Sequence, residues 1–115
     1  MSKVFNITLP LPQTDNHIYL QRNNIRFMIK EAREWKENAQ LLARRRWKEE
    51  PLETQIWLDV NFFLKRERDI QGSIKLICDA FEGIVYKNDK QITEITIHKN
   101  WDKKNPRVEV SIESL

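Results

Sequence analysis

Asp69, Lys75, Asp79 and Asp89 fall within one short segment of the sequence. Carboxylates are the hard oxygen ligands that magnesium prefers, usually one or two of them with water and substrate phosphate. A lysine beside such a pair can stabilise charge that develops on phosphorus. The residue types therefore point to phosphodiester chemistry. A plain structural reading fits as well. Asp69 can cap a helix at its N-terminus, and Lys75 and Asp79, at i, i+4 spacing, can form a surface ion pair of little worth. Spacing alone favours this second reading.

Other chemistries lack their parts. The two glycines, Gly72 and Gly83, are too few for a phosphate-cradling loop. His17 and His98 stand too far from other ligands to suggest zinc. Ser73 has no histidine near it and no nucleophile elbow. Cys78 is the single cysteine, so no internal disulfide can form, and it reads as a small core residue. No small-molecule cofactor is expected. The net charge of +3 and a pI near 9.1 permit nucleic-acid binding without requiring it. Cations gather at Arg44, Arg45, Arg46 and Lys48, and again at Lys65, Arg66 and Arg68. Either group can contact phosphates or simply be a solvated face.

The elements that must position these residues follow from periodicity. Val4 to Leu9 alternates as a strand, stopped by Pro10 and Pro12. Ile18 to Met28 reads as a short hairpin around Asn23-Asn24. Lys30 to Lys48 reads as a helix with the stripe Ala32, Trp35, Ala39 and Leu42, ended ahead of Pro51. Gln55 to Leu64 is a long strand with Ile56, Leu58, Val60, Phe62 and Leu64 on one face. Phe63, on the other face, can stack on a base, wedge into a junction or bury in an interface between copies. A second helix runs from about Gln71 to Glu82, with Ile74, Ile77, Cys78 and Phe81 as its stripe and Gly83 as its stop. Strands at Ile92–Asn100 and Arg107–Ile112 flank the turn Asp102–Pro106. The expectation is one α+β domain over residues 1–115, with a mixed sheet of about four main strands, a short hairpin and two helices packed on the sheet. If the segment between them folds back, Asp69 and Asp89 can meet at one end of that sheet. No apolar run approaches the ~20 residues of a membrane helix, no membrane partner is expected, and a cytoplasmic location is the default.

The run Arg68-Asp69-Ile70-Gln71-Gly72-Ser73-Ile74-Lys75, then Asp79-Ala80-Phe81-Glu82-Gly83, then Asn88-Asp89-Lys90-Gln91, resembles the RusA family of Holliday-junction resolvases. The opening Leu9-Pro10-Leu11-Pro12 with Asn16 and Tyr19, and the closing Asn105-Pro106-Arg107-Val108-Glu109-Val110, are similar to that family's ends. The resemblance implies a homodimeric endonuclease, bacterial or phage-borne, that uses Mg2+ or Mn2+ to nick four-way DNA junctions in pairs. It implies catalytic roles for Asp69, Lys75 and Asp89, with Asp69, Gln71 and Asp89 at the metal and Asp79 and Asn88 in support. Lys65, Arg66 and Arg68 are expected to contact DNA. Two positions depart from the pattern: Gln71 and Asn88 stand where aspartates are usual. Gln71 keeps an oxygen ligand but removes a negative charge from the site. A junction-binding protein with weakened or lost cleavage is therefore the alternative.

Overall fold

The computed structural model describes residues 3–12 and 19–115. Asn16, His17 and Ile18 lie outside the described residues, as does the side chain of Tyr19. The order of elements is β1 (Val4–Leu9), β2 (Tyr19–Arg22), β3 (Ile25–Met28), α1 (Lys30–Arg46), β4 (Ile56–Leu64), α2 (Gln71–Phe81), a 3-10 turn at Asp89–Gln91, β5 (Ile92–Trp101) and β6 (Arg107–Ser114). Four strands form one sheet in the order β1-β6-β4-β5, and β2 pairs with β3 in a separate hairpin. Asn23 and Asn24 both take positive φ at its tip, as asparagine tolerates. β4 and β5 are parallel neighbours, while β1–β6 and β4–β6 pair antiparallel. This is the expected α+β architecture with a mixed sheet. Because α2 joins β4 to β5, it runs back along the sheet from the end of one strand to the start of the next.

Alternation decides which face is buried. Burial alternates residue by residue along β1, β4 and β6. Phe5, Ile7, Leu9, Ile56, Leu58, Val60, Phe62, Leu64, Val108, Val110 and Ile112 make one apolar face, in one core with the inner sides of both helices. In α1 the buried positions are Ala32, Trp35, Ala39 and Ala43, with Leu42 only partly covered. Trp35 Nε1 donates to the Pro10 carbonyl at 2.7 Å, tying the helix to the end of β1.

Several boundaries differ from expectation for identifiable reasons. α1 ends at Arg46 rather than Lys48 because Trp47 turns extended and buries its ring edge-on against Phe5, centroids 5.9 Å apart. Pro51 therefore stops nothing. β6 continues to Ser114, whose N–H donates to the Lys3 carbonyl at 2.9 Å and whose Oγ accepts from Lys3 N at 2.7 Å. In α2 the buried set is Ser73, Leu76, Ile77, Cys78, Ala80 and Phe81, so Ile74 lies at the margin of the stripe. Phe63 carries the Arg107 guanidinium 3.8 Å above its ring centroid, a cation–π contact within the sheet's open face.

Candidate active site

The parallel pairing of β4 and β5 governs where the expected site residues go. Asp69 follows the C-terminal end of β4, and Asp89 precedes the N-terminal end of β5. In a parallel pair these are opposite ends of the sheet. The 11 residues of α2 separate them, about 16 Å along its axis. The structure thus does not bring Asp69 and Asp89 together within one chain. At its own end, Asp69 Oδ1 accepts from the Gln71 backbone N–H at 3.1 Å, an Asx turn one residue ahead of the N-cap position, which Ile70 fills without a side-chain cap. Gln71 is exposed in the first turn of the helix.

A different group assembles at the far end of α2. Asp79, Glu82 and Asp89 each present a carboxylate oxygen, and these three lie within 4.8 Å of one another, the one such acidic triplet among the described residues. All three side chains are half-buried. Asp79 sits in the last turn of α2 and Glu82 just past it, three residues on and so on the same side. Asp89 arrives from the loop, where its N–H points at Glu82 Oε1, 3.4 Å away. Lys75 stands one turn before Asp79 and reaches it at 3.9 Å, so the expected lysine borders this triplet. Sequence reasoning missed Glu82; its signal was the i, i+3 spacing from Asp79, beside a helix-stopping glycine.

The loop that delivers Asp89 is held by its neighbours. Asn88 Oδ1 accepts from Lys90 N at 2.9 Å, and Gln91 Oε1 accepts from Asn88 N at 2.8 Å, a reciprocal capping box around the 3-10 turn. Gln91 Nε2 then donates to the Leu52 and Thr54 carbonyls, both at 2.8 Å. Asn88 therefore fixes the turn that carries Asp89, a task that a neutral amide performs as well as a carboxylate. Gly83, at φ +83°, makes the reversal after α2, and its N–H donates to the Tyr86 carbonyl at 2.7 Å.

Beneath the triplet the interior is apolar. Burial pushes the Cys78 thiol up to about 11, and the Asp79 and Asp89 carboxylates add to the effect. Tyr86 is raised further still, first by burial, then by the neighbouring Cys78, Asp89 and Glu82. Its hydroxyl donates to the Cys78 carbonyl at 2.6 Å, filling an acceptor left open at the C-terminus of α2. Cys78 is a core residue here, not a nucleophile.

The expected DNA-contacting cations separate into two kinds. Lys65 and Arg66 are exposed. With Leu11, Glu67, Arg68 and Pro106 they line a hollow of about 480 Å³. Arg68 is turned inward. It donates to the Pro12 carbonyl and to Ser73 Oγ, and burial lowers its pKa. Its Nε is buried with no hydrogen-bond partner among the described residues.

The donor set fits a hard divalent cation. Oxygens held about 2.1 Å from Mg2+ stand roughly 3 Å apart when adjacent and about 4.2 Å when opposed, so three oxygens within 4.8 Å need only small rotations to share one ion. A family model described as endodeoxyribonuclease RusA matches residues 9–113. Comparison with curated proteins gives no significant match.

Proposed function

Because the chain belongs to the RusA endodeoxyribonuclease family, the family of Holliday-junction resolvases, we propose that it is a divalent-metal-dependent enzyme that nicks four-way DNA junctions in pairs, as a homodimer using Mg2+ or Mn2+. The observation that carries this reading is the convergence of Asp79, Glu82 and Asp89 beside Lys75, all within the matched segment. Asp89, Asp79 and Glu82 would hold the ion. When bound, the metal supplies Lewis-acid stabilisation of charge on the phosphate. Asp89 is kept in position by the Asn88–Gln91 capping box, so little is lost to ordering the loop when DNA arrives. Lys75, paired only with Asp79 among the described residues, sets its ammonium against the non-bridging oxygens of the scissile phosphate. Lys65 and Arg66 contact backbone phosphates and fix the DNA without reading its sequence.

Asp69 and Gln71 lie at the other end of α2, so within this reading they join an ion at Asp89 only from a second copy of the chain. A homodimer then has two equivalent sites, which suits a junction whose strands are cut in symmetric pairs. The neutral Gln71 favours a second reading, a junction binder with weakened cleavage. One experiment addresses both. A four-way junction labelled on each strand in turn is incubated with the purified chain and Mg2+ or Mn2+. Symmetric nicks on two strands of like polarity are expected, with Asp89→Asn inactive and junction binding retained. Absence of nicking with either metal, together with activity gained by Gln71→Asp, would replace the first reading by the second.

A further inference from the structure

β5 is an edge strand, and its outer side pairs with no other strand of the sheet. Such edges are usually blunted by proline, short length or charges. This one is 10 residues long and contains no proline. Its helix-side face is also uncovered. The register with β4 sets Ile95 beside Leu58, Ile97 beside Val60 and Trp101 beside Leu64, all on the core side of the sheet. Leu58, Val60 and Leu64 are fully buried, whereas Ile95, Ile97 and Trp101 are 46%, 43% and 59% exposed. The one cation in that row, Lys99, is tied to Glu67. The apolar face of the sheet therefore continues past the helices and ends in solvent.

We infer that this edge is where a second copy of the chain docks, adding its own β5 antiparallel about a two-fold axis at Thr96. The inference rests on the homodimer reading above and extends it to a named strand and register. A two-fold axis normal to the sheet keeps each face on its own side, so residues of like parity oppose each other. Centring on Thr96 sets Ile95 opposite Ile97, twice, on the helix side. It sets Glu94 opposite His98, twice, on the open side. The neighbouring registers do worse. Centring on Ile97 sets Ile95 against Lys99, and centring on His98 sets Glu94 against Asp102. Of these three registers the Thr96 one alone pairs isoleucine with isoleucine twice and also sets Glu94 against a hydrogen-bond donor, the His98 ring. Cross-strand pairs of these kinds are what stabilise one antiparallel register over another. The same pairing lays the start of one β5, which follows Asp89, alongside the end of the other, near which β4 leads into Asp69.

Light scattering after gel filtration at micromolar concentration tests the surface. The parent should run at twice its 13.9 kDa, Ile97→Glu as a folded monomer by circular dichroism, and Thr96→Cys as a dimer that survives non-reducing denaturing electrophoresis. Cys78 is buried and does not compete. A monomeric parent overturns the homodimer reading itself. A dimeric parent with a dimeric Ile97→Glu leaves that reading standing and overturns this surface. Cross-linking through Ile97→Cys in place of Thr96→Cys overturns the register. If Ile97→Glu does not fold, charge reversal decides: Glu94→Lys should weaken the dimer at least tenfold and His98→Glu added to it should restore it, whereas no change in either overturns the inference.

Discussion

Arg66 and Arg68 stand two residues apart, yet their surroundings assign them different work. Arg66 is exposed and lines a hollow, with its charge available to phosphate. Arg68 spends its guanidinium on the Pro12 carbonyl and Ser73 Oγ, tying the chain after β1 to the first turn of α2. Arg66→Ala should therefore weaken junction binding on every sequence alike and lower the slope of log K against log salt by about one. Arg68→Ala should leave the slope unchanged and cost roughly 1–3 kcal/mol of stability, because a buried carbonyl loses its donor. Binding titrations across a salt series, with thermal melts of both variants, separate the two outcomes. The sequence could not make this distinction, since both are arginines in one basic run. Glu82 was illegible for a similar reason. A glutamate next to a helix stop is ordinary until Asp89 folds back onto it.

At the scale of elements, the strand–helix–strand unit around α2 was readable because its periodicities are clean. β4 alternates without a break, and α2 keeps an apolar stripe up to Phe81. The helix's buried cysteine makes a pH prediction. Its thiol is raised from 9.0 to about 11 by burial and then by the two carboxylates. A raised acid favours the folded state fully below the unfolded value, and that contribution is lost as pH climbs through the folded one. Stability should fall between about pH 9 and pH 11, with Cys78 contributing of order 2 kcal/mol and Tyr86 acting in the same direction. Thermal melts across that range should show the fall, and Cys78→Ala should flatten it. The loop after α2 gives a second test. Gln91→Ala removes one of the two donors to the Leu52 carbonyl and the donor to the Thr54 carbonyl, and opens the capping box. It should cost about 1 kcal/mol and weaken Mn2+ binding, read by calorimetry, without removing any carboxylate. Unaltered Mn2+ affinity would mean that Asp89 does not depend on that anchor.

Across the whole molecule, the order of residues in the segment misleads about distance. Asp69 and Asp89 flank a helix, and the sequence leaves open whether the chain after it returns to the same end of the sheet. The parallel pairing of β4 with β5 decides that it does not. A right answer about the elements thus coexisted with an open question about the site, because strand direction depends on which strands become neighbours rather than on any local pattern. Mixing two variants turns this topology into a measurement. Asp69→Asn and Asp89→Asn should each abolish nicking alone. If Asp69 of one copy serves Asp89 of the other, a mixed dimer keeps one intact site and loses its mate. Random exchange in an equal mixture then restores about a quarter of the parental single-strand nicking, since half the dimers are mixed and each has one of two sites. Paired cutting of one junction by one dimer stays absent. If each site is built within a single chain, both partners are defective and mixing restores nothing. A four-way junction scored separately for single nicks and for resolved duplexes distinguishes these outcomes, and a mixture that resolves junctions in pairs contradicts both arrangements.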